Sequence, residues 1–216
     1  PGGFLLGLLG DKPVVCISVV KYGSTFAFLG FYIVAPAHRG KGYGMQLWQA
    51  GLARLEGRTI GLDGVQAQQA NYAKFGFELA YANVRYQGSG GGHFVADANI
   101  VNLATLPFEQ VNAYDRLMFP AERSQFLRHW LQQPHSTALG ILQNGVLQGV
   151  GVLRPCHFAG QNAWKIAPLF ADSPALAERL FLALKAHAPQ DAPLFLDIPA
   201  PNRAALDLVT LYKQSR

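Results

Sequence analysis

A glycine-rich turn with two basic residues is the segment of this sequence most suited to chemistry. The turn, His38–Gly44, has glycine at every second position from residue 40, and Arg39 and Lys41 lie on either side of Gly40. The first N–H groups of a helix have no intrahelical partner, and the helix dipole favours negative charge there. Glycines without Cβ atoms let an anion approach these groups, and the two cations attract it. We therefore predict that the turn binds the diphosphate of a cofactor.

Two better-known phosphate loops do not fit this turn. The sequence lacks the Gly-Lys-Ser/Thr ending of a P-loop NTPase and the Gly-x-Gly-x-x-Gly spacing of a dinucleotide fold. A solvated basic loop without a ligand is the alternative that the turn alone leaves open. Position for position, Arg39, Gly42 and Gly44 match an Arg/Gln-x-x-Gly-x-Gly/Ala signature. That signature resembles the acetyl-CoA loop of the GNAT superfamily of N-acetyltransferases.

A second segment further along the chain supports the same resemblance. Residues Tyr72–Phe77 are similar to the family's Tyr-x-Lys-x-Gly-Phe segment, in which a helix ends and the next strand begins. The resemblance covers about Phe4–Tyr86 and implies that the chain binds acetyl-CoA. On this resemblance, the residues expected to bind the cofactor are Val34, Arg39, Gly40, Lys41, Gly42, Tyr43 and Gly44.

The resemblance also implies that Tyr72 is the general acid, because the matching family position often carries a tyrosine whose hydroxyl approaches the CoA sulfur. A tyrosine that only packs on the core is the alternative. An amine acceptor must lose a proton before it attacks, and backbone N–H groups near the third strand would polarise the thioester carbonyl. For the general base, His38, Asp63 and Glu78 are candidates, and the sequence favours none of them.

Hydrophobic periodicity predicts the elements that position these residues, in two α/β lobes of similar element order. The resemblance implies an α/β (α+β) class, each lobe being a mixed, mostly antiparallel sheet flanked by helices. In the first lobe we predict strands at Phe4–Leu9, Val14–Val20, Phe26–Val34, Arg58–Leu62 and Phe77–Tyr86, and helices after Gly42 and over Gln66–Phe75. In the second we predict strands at Asn99–Thr105, Thr137–Leu142, Val146–Leu153, Trp164–Phe170 and Leu194–Ile198, and helices over Phe108–Leu117 and Ala121–Gln132 and after Ser173 and Asn202.

Gly88–Gly92 is the clearest linker signal, because a run of glycine and serine adds nothing to a core and leaves the backbone free. We therefore predict a first, acetyl-CoA-binding domain over residues 1–87, a linker over 88–92 and a second domain over 93–216. The first lobe has no counterpart of Asn99–Gln133, which in the second lobe precedes the predicted strands Thr137–Leu142 and Val146–Leu153. We expect the first lobe to be incomplete on its N-terminal side, in a chain that is a piece of a longer protein.

The second lobe resembles the second GNAT-like domain of tandem acetyltransferases, but its phosphate loop departs from the pattern. Where the first lobe has its glycine turn, this lobe has Ala171–Pro174, with no glycine. The proline lacks an N–H donor, and the carboxylate of Asp172 would repel a phosphate. We expect this lobe not to bind acetyl-CoA in the usual manner.

Composition narrows the classes of function. The chain is 50% hydrophobic and 14% charged, which is typical of a compact globular protein, and its apolar runs are far shorter than the ~20 residues that span a bilayer. The net charge of +5 comes from basic residues scattered singly, which argues against a nucleic-acid partner. The two cysteines, Cys16 and Cys156, predict neither a disulfide framework nor a metal site, and they favour a cytoplasmic location.

Together with the resemblance, these features predict a cytoplasmic N-acetyltransferase that needs no metal. It would move acetyl from acetyl-CoA to the primary amine of a small molecule, by direct attack in a ternary complex. A non-catalytic acyl-CoA-binding or regulatory module is the alternative, and turnover separates the two. We expect no nucleic-acid or membrane partner, and a homodimer is compatible with the sequence.

Overall fold

The computed structural model describes residues 2–212 of the chain, which divide into two compact units. The first is Pro1–Glu78 together with Pro120–Arg123, and the second is Leu79–Phe119 together with Ser124–Arg216. Each unit has its own sheet, and each sheet joins antiparallel pairs to one parallel pair. The predicted class, two mixed and mostly antiparallel sheets flanked by helices, is confirmed.

The first unit is built on a sheet with the strand order β1-β2-β3-β4. Its strands are β1 (Phe4–Leu9), β2 (Lys12–Tyr22), β3 (Phe26–Val34) and β4 (Thr59–Leu62). Because β3 and β4 are parallel, the chain needs a crossover between them, and helix α1 (Tyr43–Ala53) provides it. The buried core between sheet and helix consists of Ile17, Val19, Ala27, Leu29, Trp48 and Leu55.

The helix predicted over Gln66–Phe75 is shorter in the structure. A 3-10 turn at Gln66–Gln68 leads into the five-residue helix α2 (Gln69–Ala73). Gly76 follows with φ +82°, a left-handed conformation that glycine adopts without steric cost. The chain therefore leaves this helix within the Tyr-x-Lys-x-Gly-Phe segment, two residues earlier than predicted. The strand predicted over Phe77–Tyr86 begins only at Asn83.

One face of β1 is apolar and exposed. The side chains of Phe4, Leu6 and Leu8 are each about 60% exposed, and Phe31 on β3 extends the same face, with its ring centroid 6.0 Å from that of Phe4. A covered face here would have argued against the expected incompleteness of the first lobe. That expectation stays a prediction.

The second unit is built on a six-stranded sheet with the order β5-β10-β9-β8-β7-β6. Its strands are β5 (Asn83–Ser89), β6 (Ile100–Asn102), β7 (Thr137–Gln143), β8 (Val146–Phe158), β9 (Gln161–Ala171) and β10 (Pro193–Pro199). Its helices are α3 (Phe108–Met118), α4 (Ser124–Leu131), α5 (Pro174–His187) and α6 (Arg203–Tyr212). Two buried clusters stabilise it, one with side chains of α5 and α6 and the other with side chains of α3 and α4.

The segment predicted to end the first domain belongs to the second unit instead. Strand β5 pairs antiparallel with β10 over its whole length, and it includes Gly88 and Ser89 of the predicted linker. The next two glycines are also held, since Gly90 N donates to Ala192 O (2.7 Å) and Gly91 N to Lys185 O (2.9 Å). Composition alone predicts a free linker here, but backbone hydrogen bonds fix this glycine run within the second unit. The division between the two units falls after Glu78 instead.

Candidate functional site

A bulge near the end of β3 sets the geometry of the candidate site. Cys16 on β2 lies opposite Ile33, but Ser18 lies opposite Gly30, so two residues of β3 face one of β2. Phe31, one of those two, has φ +47°, a conformation that is uncommon for a bulky side chain. The Cys16 thiol donates to the Phe31 carbonyl (3.3 Å) beside this bulge. The extra residue reverses the alternation of the strand.

Because of this reversal, Tyr32 faces helix α1 and Phe31 faces the opposite side of the sheet. The Tyr32 ring centroid lies 5.3 Å from that of Trp48, which is on α1 and only 3% exposed. A Cβ atom added to Gly44 would lie 2.5 Å from the Tyr32 hydroxyl and 2.9 Å from Val34 Cγ2. Glycine at position 44 is therefore required by the packing of β3 against α1.

The glycines at 40 and 42 have a different role. Both adopt left-handed conformations, with φ +74° and +81°, and Gly42 is the N-cap residue of α1. A Cβ atom added at either would meet no atom within 4 Å, so the outer side of the loop is open. Within residues 2–212, no side chain caps the N-terminus of α1. The first N–H groups of α1 therefore have no side-chain acceptor among these residues, and this arrangement fits an anionic group.

The basic residues of the loop lie where the sequence predicted them, but one has a structural contact. Arg39 Nε donates to the Val34 carbonyl (3.1 Å), which closes the turn that follows β3. Its remaining N–H groups and the Lys41 side chain lie at exposed positions beside the glycines. The ring of His38 lies 6.2 Å from that of Tyr43, so this histidine belongs to the loop.

An aromatic cluster joins the loop helix to Tyr72. The Tyr72 ring, on α2, lies 5.7 Å from Trp48 and 6.5 Å from Phe77, and its edge lies over Gly64. Trp48 also contacts Phe75, at 5.5 Å. The Trp48 Nε1 atom is buried without a hydrogen-bond partner among the described residues, and such unpaired donors call for a functional or structural explanation. Tyr72 is half-buried and shares this cluster with Tyr32.

Tyr32 is the site residue that sequence reasoning missed. It lies two positions before Val34, and only the bulge at Phe31 directs it toward α1. The positive φ falls on Phe31 itself, and Gly30 directly precedes it. An isolated glycine inside a predicted strand is a signal of a bulge, and it was the signal available here.

The three candidate bases remain undistinguished. His38 lies in the loop, Asp63 directly follows β4, and Glu78 is the last residue of the main segment of the first unit. Asp63 and Glu78 are both exposed. No general base is assigned.

The corresponding loop of the second unit is organised by its own side chains. Tyr114 donates to Asp172 Oδ1 (2.8 Å), and burial together with this carboxylate raises the pKa of the tyrosine hydroxyl. Ser173 Oγ accepts a hydrogen bond from Leu176 N (3.3 Å) and so caps α5, which begins at Pro174. This helix N-terminus thus has an internal acceptor, whereas that of α1 has none among the described residues.

Residues 2–212 contain no group of three or more His, Cys, Asp or Glu side chains arranged to hold a metal ion. None of their helices combines the length and the apolarity that crossing a membrane requires.

Each of the two units contains a segment that matches a known protein family. Residues 1–77 match the acetyltransferase (GNAT) family, and residues 111–215 match an acetyltransferase (GNAT) domain. The holothin acyltransferase of a Pseudoalteromonas species is 31% identical over 198 residues, which are 91% of this chain and 66% of that protein. The chain therefore spans slightly less than two thirds of this relative.

Solved structures show the same fold over the whole chain. A Pyrococcus horikoshii protein assigned to the acetyltransferases superposes with a TM-score of 0.79 and 26% identity, covering 99% of this chain and 69% of that one. A GCN5-related N-acetyltransferase from Kribbella flavida superposes with a TM-score of 0.59 over 100% of this chain and 57% of its own. At 18% identity, the latter shows the fold alone.

Proposed function

This chain belongs to the GNAT family of acetyltransferases, and from that premise we propose that it transfers acetyl from acetyl-CoA to the primary amine of a small molecule. Family membership and the acyltransferase relative support transferase activity. The observation that carries the finer proposal is the uncapped N-terminus of α1, reached through two left-handed glycines with open space around them. The name of the Pseudoalteromonas relative gives holothin as its acceptor, and we infer a small-molecule acceptor here too.

The loop residues fit the anionic part of acetyl-CoA. N–H groups of Gly40, Gly42 and the first turn of α1 would bind the diphosphate, and the helix dipole adds to their effect. Lys41 and the free N–H groups of Arg39 would add positive charge on the exposed side. The Val34 carbonyl holds Arg39 in place for this role. Tyr43 and Gly44 would complete the site as the first residues of α1.

The chemistry divides between the acetyl donor and the side chains of this protein. When bound, acetyl-CoA would supply an acetyl group activated as a thioester. As the neutral amine forms its bond to the carbonyl carbon, the bond from that carbon to sulfur would break, and the proton lost by the amine nitrogen would pass to solvent. Tyr72 would hold a proton at its hydroxyl for the departing sulfur, and the ring contacts with Trp48 and Phe77 would fix its position. Backbone N–H groups at the β3 bulge would polarise the carbonyl of the acetyl group. None of these steps needs a metal.

We place the protein in the cytoplasm, as a proposal supported by its two free cysteines, Cys16 and Cys156. Nucleic acid and membrane are not among its proposed partners. A homodimer is compatible with this function.

Turnover tests the proposal against its alternative. The purified chain is mixed with acetyl-CoA and a panel of small primary amines, and thiol release is followed with time. We expect release that depends on one class of amine and yields the acetylated product by mass spectrometry. Tight binding of acetyl-CoA without release by any amine would instead support a non-catalytic acyl-CoA-binding or regulatory module.

A binding measurement tests the loop separately. We expect Arg39→Ala to weaken acetyl-CoA binding about tenfold by calorimetry, as the loss of one charge-assisted contact predicts. Arg58→Ala is the matched control, because Arg58 Nε also donates to a backbone carbonyl, that of Gly23 at 3.1 Å, in another part of the unit. Equal affinity of Arg39→Ala and the unmodified chain would exclude this arginine from the site.

A further inference from the structure

The position of Tyr32 gives the candidate site a second tyrosine hydroxyl. The bulge at Phe31 turns the ring toward α1, and the ring contact with Trp48 at 5.3 Å fixes its direction. The hydroxyl then lies at the first turn of α1, 2.5 Å from the position that a Cβ atom on Gly44 would take. A tyrosine in this position borders the same helix N-terminus that the loop leaves open.

The hydroxyl of Tyr32 is free to bind a ligand. Among the described residues it has no hydrogen-bond partner, and the side chain is 37% exposed. The tyrosines of the second unit show the contrast, because Tyr114 and Tyr212 donate to the carboxylates of Asp172 and Glu178 at 2.8 and 2.7 Å. Burial and, to a lesser extent, the neighbouring Tyr72 raise the pKa of Tyr32. The hydroxyl therefore keeps its proton at neutral pH and is available as a donor.

We propose that Tyr32 is a binding residue for the acyl donor, and that its hydroxyl donates a hydrogen bond to an oxygen of the bound acyl-CoA beside the first turn of α1. This inference rests on the proposed function and adds a residue to its site. It also separates two roles within one aromatic cluster. Tyr32 acts on donor binding, whereas Tyr72 acts on turnover.

The test is Tyr32→Phe, which removes the hydroxyl and keeps the ring on Trp48. We expect the Kd of acetyl-CoA and of CoA, measured by calorimetry on the full chain, to rise about 3- to 10-fold, the loss typical of one neutral hydrogen bond. The KM for acetyl-CoA should rise by a similar factor, with kcat unchanged at saturation. A purely structural role would not produce this division between KM and kcat.

Tyr22→Phe is the matched control. Tyr22 lies at the opposite end of the β2–β3 hairpin, where its ring contacts Phe26 at 5.8 Å, and its loss of a hydroxyl should not change either Kd. If Tyr32→Phe binds both ligands as tightly as the unmodified chain, the role of Tyr32 is wrong and the proposed function stands. If the unmodified chain binds neither ligand, the proposed function itself fails.

Discussion

Arg85 on β5 holds Asp197 on β10 by two hydrogen bonds, from Nε to Oδ1 at 2.7 Å and from NH2 to Oδ2 at 2.9 Å. A two-point contact between a guanidinium and a carboxylate fixes the relative position of both groups. Lys165 on β9 donates to the same carboxylate at 2.5 Å, so the three charges join three neighbouring strands. This cluster adds side-chain contacts to the backbone pairing of β5 with β10.

We expect Asp197→Asn to lower the free energy of unfolding of the second unit by about 1 kcal/mol at pH 7. The hydrogen bond from Arg85, followed by that from Lys165, lowers the pKa of Asp197 to about 2, against an unfolded value of about 3.9. A carboxyl group with a lowered folded pKa stabilises the fold above the unfolded pKa and loses this effect as pH falls toward 2. The side chain is 32% exposed, so solvent reduces the effect to the modest value given.

Urea unfolding at pH 7 and at pH 3 measures this difference. The loss caused by Asp197→Asn should shrink at the lower pH, because the wild-type carboxylate is then partly protonated in the unfolded state. Asp207→Asn, at an exposed position on α6, is the control and should change stability little at either pH. A loss of equal size at both pH values would mean that packing, and not charge, is responsible.

Local patterns in the sequence predicted most of the elements and the loop. The Arg39, Gly42 and Gly44 spacing is a short-range signal, and the structure has a strand before the turn and a helix after it. The Tyr72–Phe77 segment predicted the end of α2, but the strand predicted over Phe77–Tyr86 begins only at Asn83. Gly40 and Gly42 in this loop also have the left-handed backbone conformation that glycine adopts without steric cost. These features depend on neighbouring residues, so a single sequence carries them.

Features that depend on distant residues were not predictable in the same way. The partner of β5 is β10, more than a hundred residues later, and no local pattern in Asn83–Ser89 distinguishes the two sheets. The bulge at Phe31 is a second example, because a phenylalanine there gives no sign of a positive φ. The bulge decides that Tyr32 faces α1, and for that reason sequence reasoning missed this tyrosine.

We expect Tyr72→Phe to lower kcat about 100-fold, the smaller end of the effect typical of general acid catalysis, with acetyl-CoA affinity within twofold of the unmodified chain. The ring remains in contact with Trp48 and Phe77, so stability should not change. Thiol release at saturating acetyl-CoA measures the effect. Tyr81→Phe, at an exposed position of the second unit, is the control. Unchanged turnover of Tyr72→Phe would show that this tyrosine only packs on the core.

Two glycines with the same conformation allow the effect of backbone strain to be measured apart from the effect on ligand binding. Gly42 and Gly57 have φ +81° and +77°, and a Cβ atom at either would meet no atom within 4 Å. We expect each change to alanine to lower the free energy of unfolding by about 1 kcal/mol, since the left-handed conformation is strained for alanine. Only Gly42→Ala should also weaken acetyl-CoA binding, by about tenfold, because its methyl group enters the space of the ligand. Equal affinities of the two variants would contradict a diphosphate site at this loop.

Because the N-terminus of α5 is unsuited to a phosphate, we predict that one chain binds one acetyl-CoA. Ser173 Oγ already accepts a hydrogen bond from Leu176 N, and the Asp172 carboxylate beside it would repel a phosphate. We therefore expect a calorimetric stoichiometry of one for the full chain. Ser173→Ala should lower the free energy of unfolding by about 1 kcal/mol through loss of the cap, while affinity and stoichiometry stay the same. A stoichiometry of two, or a second binding event lost in Ser173→Ala, would show that the second unit also binds the cofactor.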